Sequence, residues 1–126
     1  MNISELVKKE EEYIVSLRRY FHAHPEASLK EYKTAAKIEE ELKALGIPYE
    51  RVGETGLIGY IGNPDKGKTI ALRADIDALE IEEANDIEYK SVNKGLMHAC
   101  GHDAHTASLL GAAKILKSKE DEINGY

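Results

Sequence analysis

Apolar residues near the start of the chain recur with a helical period. Ile3, Leu6, Val7, Ile14, Leu17 and Phe21 fall on one face, which predicts a helix ending near Phe21. Asn2 stands where an N-cap belongs, and Glu5, three residues on, completes a capping pair. His22-Ala23-His24-Pro25-Glu26 interrupts the period, and Pro25 disfavours helical geometry at the residue before it, so a turn is expected. A second stripe of Tyr32, Ala35, Ile38, Leu42 and Leu45 predicts a helix over 30–45. Glu39 stands four residues before Lys43, and Gly46 is placed as the C-cap. Past Pro48 the pattern shortens to extended runs at 49–52, 57–62 and 69–78. The linker 63–68, Asn-Pro-Asp-Lys-Gly-Lys, is turn chemistry, which makes the last two runs an expected antiparallel pair. Residues 79–99 hold neither period and predict a long ordered loop, a length that function usually explains. Helical spacing returns from Asp103 to Leu116 through Leu109 and Ala113. The expected architecture is α/β, with helices packed on a mixed sheet that includes 57–62 and 69–77, in one unit spanning 1–126.

Composition narrows the class. At 42% apolar and 32% charged residues, a chain of 126 is ordinary for one globular domain. No apolar run approaches the roughly 18 residues that a membrane span needs, and residues 1–12 are too charged for a signal peptide. No membrane partner and a cytoplasmic address are therefore expected. A net charge of -6 argues against nucleic acid, whose phosphates demand a concentrated basic face. The single cysteine makes no internal disulfide and leaves its thiol free for a metal or for chemistry.

That cysteine lies in the densest chemical segment, Met97-His98-Ala99-Cys100-Gly101-His102-Asp103-Ala104-His105. A thiolate and an imidazole two residues apart, hinged by glycine, can turn toward one point, so Cys100 and His102 are candidate metal ligands. Two donors leave a zinc shell of about four incomplete. His98 and His105 are candidates either to contribute or to orient a neighbour, and for His105 a plain helix-surface position is as good a reading. Along 69–78 the residues Arg73, Asp75 and Asp77 share one face. Two carboxylates at i and i+2 repel unless a cation lies near, although a solvated edge strand would also carry them. His22 and His24 flank the proline turn without a local partner except Glu26 and read as turn or packing residues. A thiol enzyme with Cys100 as nucleophile and His102 as base ranks low, because such pairs generally meet across a fold.

Several strings together resemble the metal-dependent amidohydrolases related to aminoacylase. They are Arg18-Arg19, Phe21-His22, His24-Pro25-Glu26, Glu31, Thr34, Thr55-Gly56, the run Leu72 to Leu79, Met97 to Asp103, and Leu109 to Ala113. Within the zinc peptidase superfamily the resemblance is to the branch of hippurate hydrolases, N-acetyldiaminopimelate deacetylases and auxin-conjugate hydrolases. It implies a truncated zinc-exopeptidase-like catalytic domain, with Cys100 and His102 as metal ligands, Asp75 as the catalytic aspartate and Asp77 in support. It further implies a divalent metal, zinc first, with nickel, manganese or cobalt as alternatives, in a two-metal site of the complete enzyme. The implied reaction is hydrolysis of the amide of N-acyl amino acids, with a glutamate as general base. Glu80 stands where the family usually has proline. The resemblance also implies that this is the first third of such an enzyme, without its general base and inactive alone. Its partners would be the missing C-terminal part, a small N-acyl amino acid or peptide and, in the complete enzyme, further copies of itself. A small non-catalytic metal-binding module and a metal-dependent carboxypeptidase acting on small peptides are the alternatives.

Overall fold

The computed structural model describes residues 2–126. Asn2 caps helix α1 (Ile3–Lys9), its side-chain oxygen accepting the Glu5 amide at 3.3 Å. The expected single helix to Phe21 is broken at Glu10, and α2 (Glu11–Ala23) begins beyond it. Residues 8–12 are all charged, so no apolar side chain holds the axis between Val7 and Tyr13, and α1 buries none of its residues. Helix α3 (Tyr32–Ala44) buries Thr34, Ala35, Ile38 and Leu42, and its start is held by the Glu26 carboxylate, which accepts the Lys33 and Thr34 amides. At its end the Gly46 amide donates to Lys43 O and the Ile47 amide to Leu42 O, the C-terminal closure that the sequence predicts.

Helix α4 (His102–Ser118) lies against α2. Leu17 and Phe21 of α2, Ile38 and Leu42 of α3, Ala107 and Leu110 of α4, and Ile47 form the core. Gly111 permits the close approach of the two helices, since a Cβ there would stand 2.5 Å from Ile14 Cγ1. Gly111→Ala is therefore expected to destabilise the chain by about 1–3 kcal/mol, because overpacking outweighs the gain in helix propensity. Urea unfolding measures it, and a stabilised variant would show that the interface yields freely.

The sheet departs from expectation in its pairing. Strands β1 (Tyr49–Val52) and β2 (Gly56–Gly59) form an antiparallel pair, and 57–62 does not pair with 69–78. The reason lies at the C-terminus, where Gly125 O accepts the Asn63 amide while Tyr126 donates to Lys68 O and accepts from Ile70. Residues 125–126 thus lie between the two runs, with Tyr126 bonded as a parallel neighbour of Thr69. The segment 69–77 stays extended, with a single parallel bridge just past its end, Ala27 to Ala78. Parallel and antiparallel contacts are both present, and the architecture is α/β as expected, with helices on a small sheet. Residues 80–96 carry no helix or strand and form the predicted ordered loop, closed by a reciprocal pair of hydrogen bonds between Leu79 and Met97. Among the described residues no helix is long and apolar enough to cross a membrane.

Candidate functional site

The loop closure at Leu79 and Met97 returns the chain beside the end of the extended segment, and the sequence His98 to His102 follows at once. On the other side the turn at Pro25 meets the same end, with Glu26 O accepting the Ala78 amide at 2.8 Å. Gly101, at φ +101°, bends the chain into α4, a backbone geometry that a side chain would strain.

The bend directs His102 at the two aspartates. His102 Nδ1 lies 2.9 Å from Asp77 Oδ1 and 3.0 Å from Asp77 O. Both partners only accept, so Nδ1 carries the hydrogen, and in the neutral ring Nε2 presents a lone pair. That lone pair faces Asp75 Oδ2 at 3.9 Å, too far for a hydrogen bond. Asp75 uses its other oxygen to bind Arg73, and Thr106 Oγ1 donates to Asp75 O, fixing the first turn of α4 to the carboxylate segment. Two acceptor atoms therefore face one another across a gap, an arrangement that suits a cation, and the carboxylate behind the imidazole matches the way metal-binding histidines are oriented.

Sequence reasoning thus found Asp75, Asp77 and His102 together. Cys100 stands exposed on the hinge just before them. Among the described residues no three His, Cys, Asp or Glu side chains form a group able to hold an ion, so the corner supplies part of a coordination shell. His105 is exposed, its ring 6.1 Å from that of His102. His98 is buried with neither ring nitrogen hydrogen-bonded, so it orients no neighbour through a hydrogen bond. Burial pushes its pKa below the ordinary histidine value and keeps it neutral.

The sequence reading missed His22. It is no turn residue: it is buried in α2, with Nδ1 2.8 Å from Asp103 Oδ2 and Nε2 2.9 Å from Glu83 Oε2. Arg18 Nε also donates to Asp103 Oδ2, at 3.0 Å. Arg18 and His22 sit four apart beside Leu17 and Phe21, a polar pair bordering an apolar stripe, which was the available signal. Burial pushes the Glu83 carboxyl up, yet hydrogen bonds from His22, the Ser91 amide and Asn85 outweigh it and hold the pKa down at about 2. Because the folded value lies below the unfolded one, stability from this group is complete above about pH 4.5 and is lost as pH falls toward about 2. Acid unfolding of Glu83→Gln is expected to be flatter than that of the wild type over that interval, and parallel curves would contradict this.

The sequence profile of Peptidase family M20/M25/M40 matches residues 71–125, the stretch that carries Asp75, Asp77, Cys100 and His102. The chain is 50% identical over 121 residues to thermostable carboxypeptidase 2 of Saccharolobus solfataricus, covering 94% of this chain and 31% of that protein. It is 44% identical over 124 residues to the N-acyl-L-amino acid amidohydrolase of Geobacillus stearothermophilus, covering 98% and 34% respectively. Among solved structures, a Bacillus subtilis protein described as a dinuclear metal binding peptidase from the M20 family superposes with a TM-score of 0.83 at 38% identity, covering 97% of this chain and 34% of that one. The chain spans about a third of the length of these relatives.

Proposed function

We propose that this chain is part of an M20 hydrolase that cleaves the amide bond of N-acyl amino acids, and that Cys100, His102 and Asp75 contribute to its divalent metal site. The observation that carries the reading is the pair of facing acceptors, His102 Nε2 and Asp75 Oδ2, with Asp77 locking the imidazole from behind. A thiolate beside imidazole and carboxylate is a donor set that suits zinc or another borderline ion such as cobalt, nickel or manganese. A divalent ion held there supplies Lewis acidity toward the amide carbonyl. The chain's own residues orient that chemistry: Asp77 fixes the His102 tautomer, Arg73 anchors one Asp75 oxygen, and Thr106 secures the Asp75 backbone. The general-base glutamate and the remaining ligands belong to the part of the M20 fold outside this third. A reducing, cytoplasmic setting keeps Cys100 a free thiol.

Cobalt(II) titration of the chain tests the site. The expected result is a sulfur-to-cobalt charge-transfer band that Cys100→Ser abolishes, while Asp77→Asn weakens uptake about 10–100-fold. A wild-type chain that binds cobalt without the band would remove Cys100 from the shell, and one that binds none would overturn the reading. For the reaction, the chain is mixed with a polypeptide comprising the remaining two thirds of an M20 relative, and amino-acid release from N-acetyl and N-benzoyl substrates is followed. The 50% identity to a carboxypeptidase favours peptides as a second substrate class, which release from N-blocked dipeptides but not from N-acetyl amino acids would establish.

A further inference from the structure

Asp103 follows the proposed ligand His102 directly and sits in the first turn of α4, whereas Glu83 belongs to the long loop that delivers Cys100. These two carboxylates, at 1% and 3% exposure, converge on one side chain of a third element, His22 of α2. Each ring nitrogen of His22 thus stands within hydrogen-bond distance of one carboxylate oxygen, so the ring bridges the two. Arg18, half-buried at the edge of the cluster, also donates to Asp103. Glu83 spreads the hold through its loop by accepting the Ser91 amide at 2.7 Å and Asn85 Nδ2 at 3.0 Å, and the Val92 amide donates to Ala23 O at the end of α2. The Tyr89 ring packs edge-on against His22, with Arg18 and Arg19 over it, covering the cluster. Between Met97, fixed to Leu79, and Asp103, fixed to α2, the hinge 98–102 has its two ends held on separate supports, with His102 also bonded to Asp77.

We propose that His22 is a positioning residue that braces this hinge, joining the loop side through Nε2 and the helix side through Nδ1, and so sets where Cys100 and His102 stand. Its effect on ion binding rests on the function proposed above, whereas the bracing itself does not. The two ring nitrogens can be separated chemically. Asparagine places its amide nitrogen near Nδ1 and keeps the Asp103 link alone; glutamine places it near Nε2 and keeps the Glu83 link alone.

Amide hydrogen exchange of the wild-type, His22→Asn and His22→Gln chains tests the brace. In His22→Asn the hydrogen-bonded amides of Ser91, Val92 and Ala99 are expected to exchange roughly tenfold faster, while α3 keeps its wild-type rates. In His22→Gln the acceleration moves to the first turn of α4, at His105 and Thr106, and Ser91 stays protected. Glu83→Ala, which leaves His22 and Asp103 in place, should reproduce the asparagine pattern. Acceleration spread equally over α3, or none in the hinge, would reduce His22 to a packing residue and overturn the proposal. Cobalt affinity should fall about 10–100-fold in both His22 variants. A wild-type chain that takes up no cobalt defeats the metal reading but leaves the exchange pattern to decide the brace.

Discussion

Asp103→Ala is expected to cost about 3–5 kcal/mol of folding stability, because it removes the buried carboxylate that His22 and Arg18 share and leaves His22 Nδ1 buried without a partner. Asp103 is 1% exposed, is bonded to His22 and Arg18 at 2.8 and 3.0 Å, and stands where the α4 amides favour negative charge. Asp103→Asn keeps the shape and one acceptor and should lose less. If the loss arises from stranded charge, adding His22→Leu and Arg18→Met to Asp103→Ala should recover much of it, since an apolar replacement of a whole buried ion cluster is often neutral. Urea unfolding of the single and combined variants decides the matter. A loss below about 1 kcal/mol for Asp103→Ala would mean that water already reaches the cluster.

Phe21→Ala should be as damaging for a different reason. Phe21 is 1% exposed among Leu17, Ile38, Leu42 and Leu110, one residue from His22, and its removal opens a cavity where α2, α3 and α4 meet. Large-to-small changes at such sites cost about 3–5 kcal/mol, a large share of the 5–15 kcal/mol that holds an ordinary domain. The cavity loss should hold from pH 5 to 8 and be insensitive to salt. Denaturant midpoints for Phe21→Ala across that range test it, and a cost that varied strongly with pH would mean that the His22 cluster next to it had collapsed as well.

How much was legible in the sequence follows from which forces are local. Helices α3 and α4, the Asn2 cap and the closure at Gly46 were readable because each depends on residues within one or two turns. The break at Glu10 was missed because Ile14 and Phe21 still fit the period of Ile3 and Val7, although only charged residues connect them. Strand pairing was missed because the residues that displace it, Gly125 and Tyr126, lie far along the chain and show no period of their own. In the site, the paired aspartates and the Cys100 hinge were visible as dense local chemistry. His22 was not, since its partners stand 61 and 81 residues away and the one local sign is the polar pair of Arg18 and His22 bordering the apolar stripe.

The uncovered segment 69–77 bears on how the chain behaves in concentrated solution. Ile70 and Leu72 are 74% and 60% exposed, and among the described residues no backbone amide from Ala71 to Asp77 donates to another residue. Such a bare edge is a template for stacking with other molecules. This stretch carries Arg73, Asp75 and Asp77, with Arg73 paired to Asp75, and is left with net negative charge on a chain of net charge -6, so copies laid edge to edge repel. Added salt weakens that repulsion while leaving the greasy contacts intact, which makes ionic strength the control on solubility.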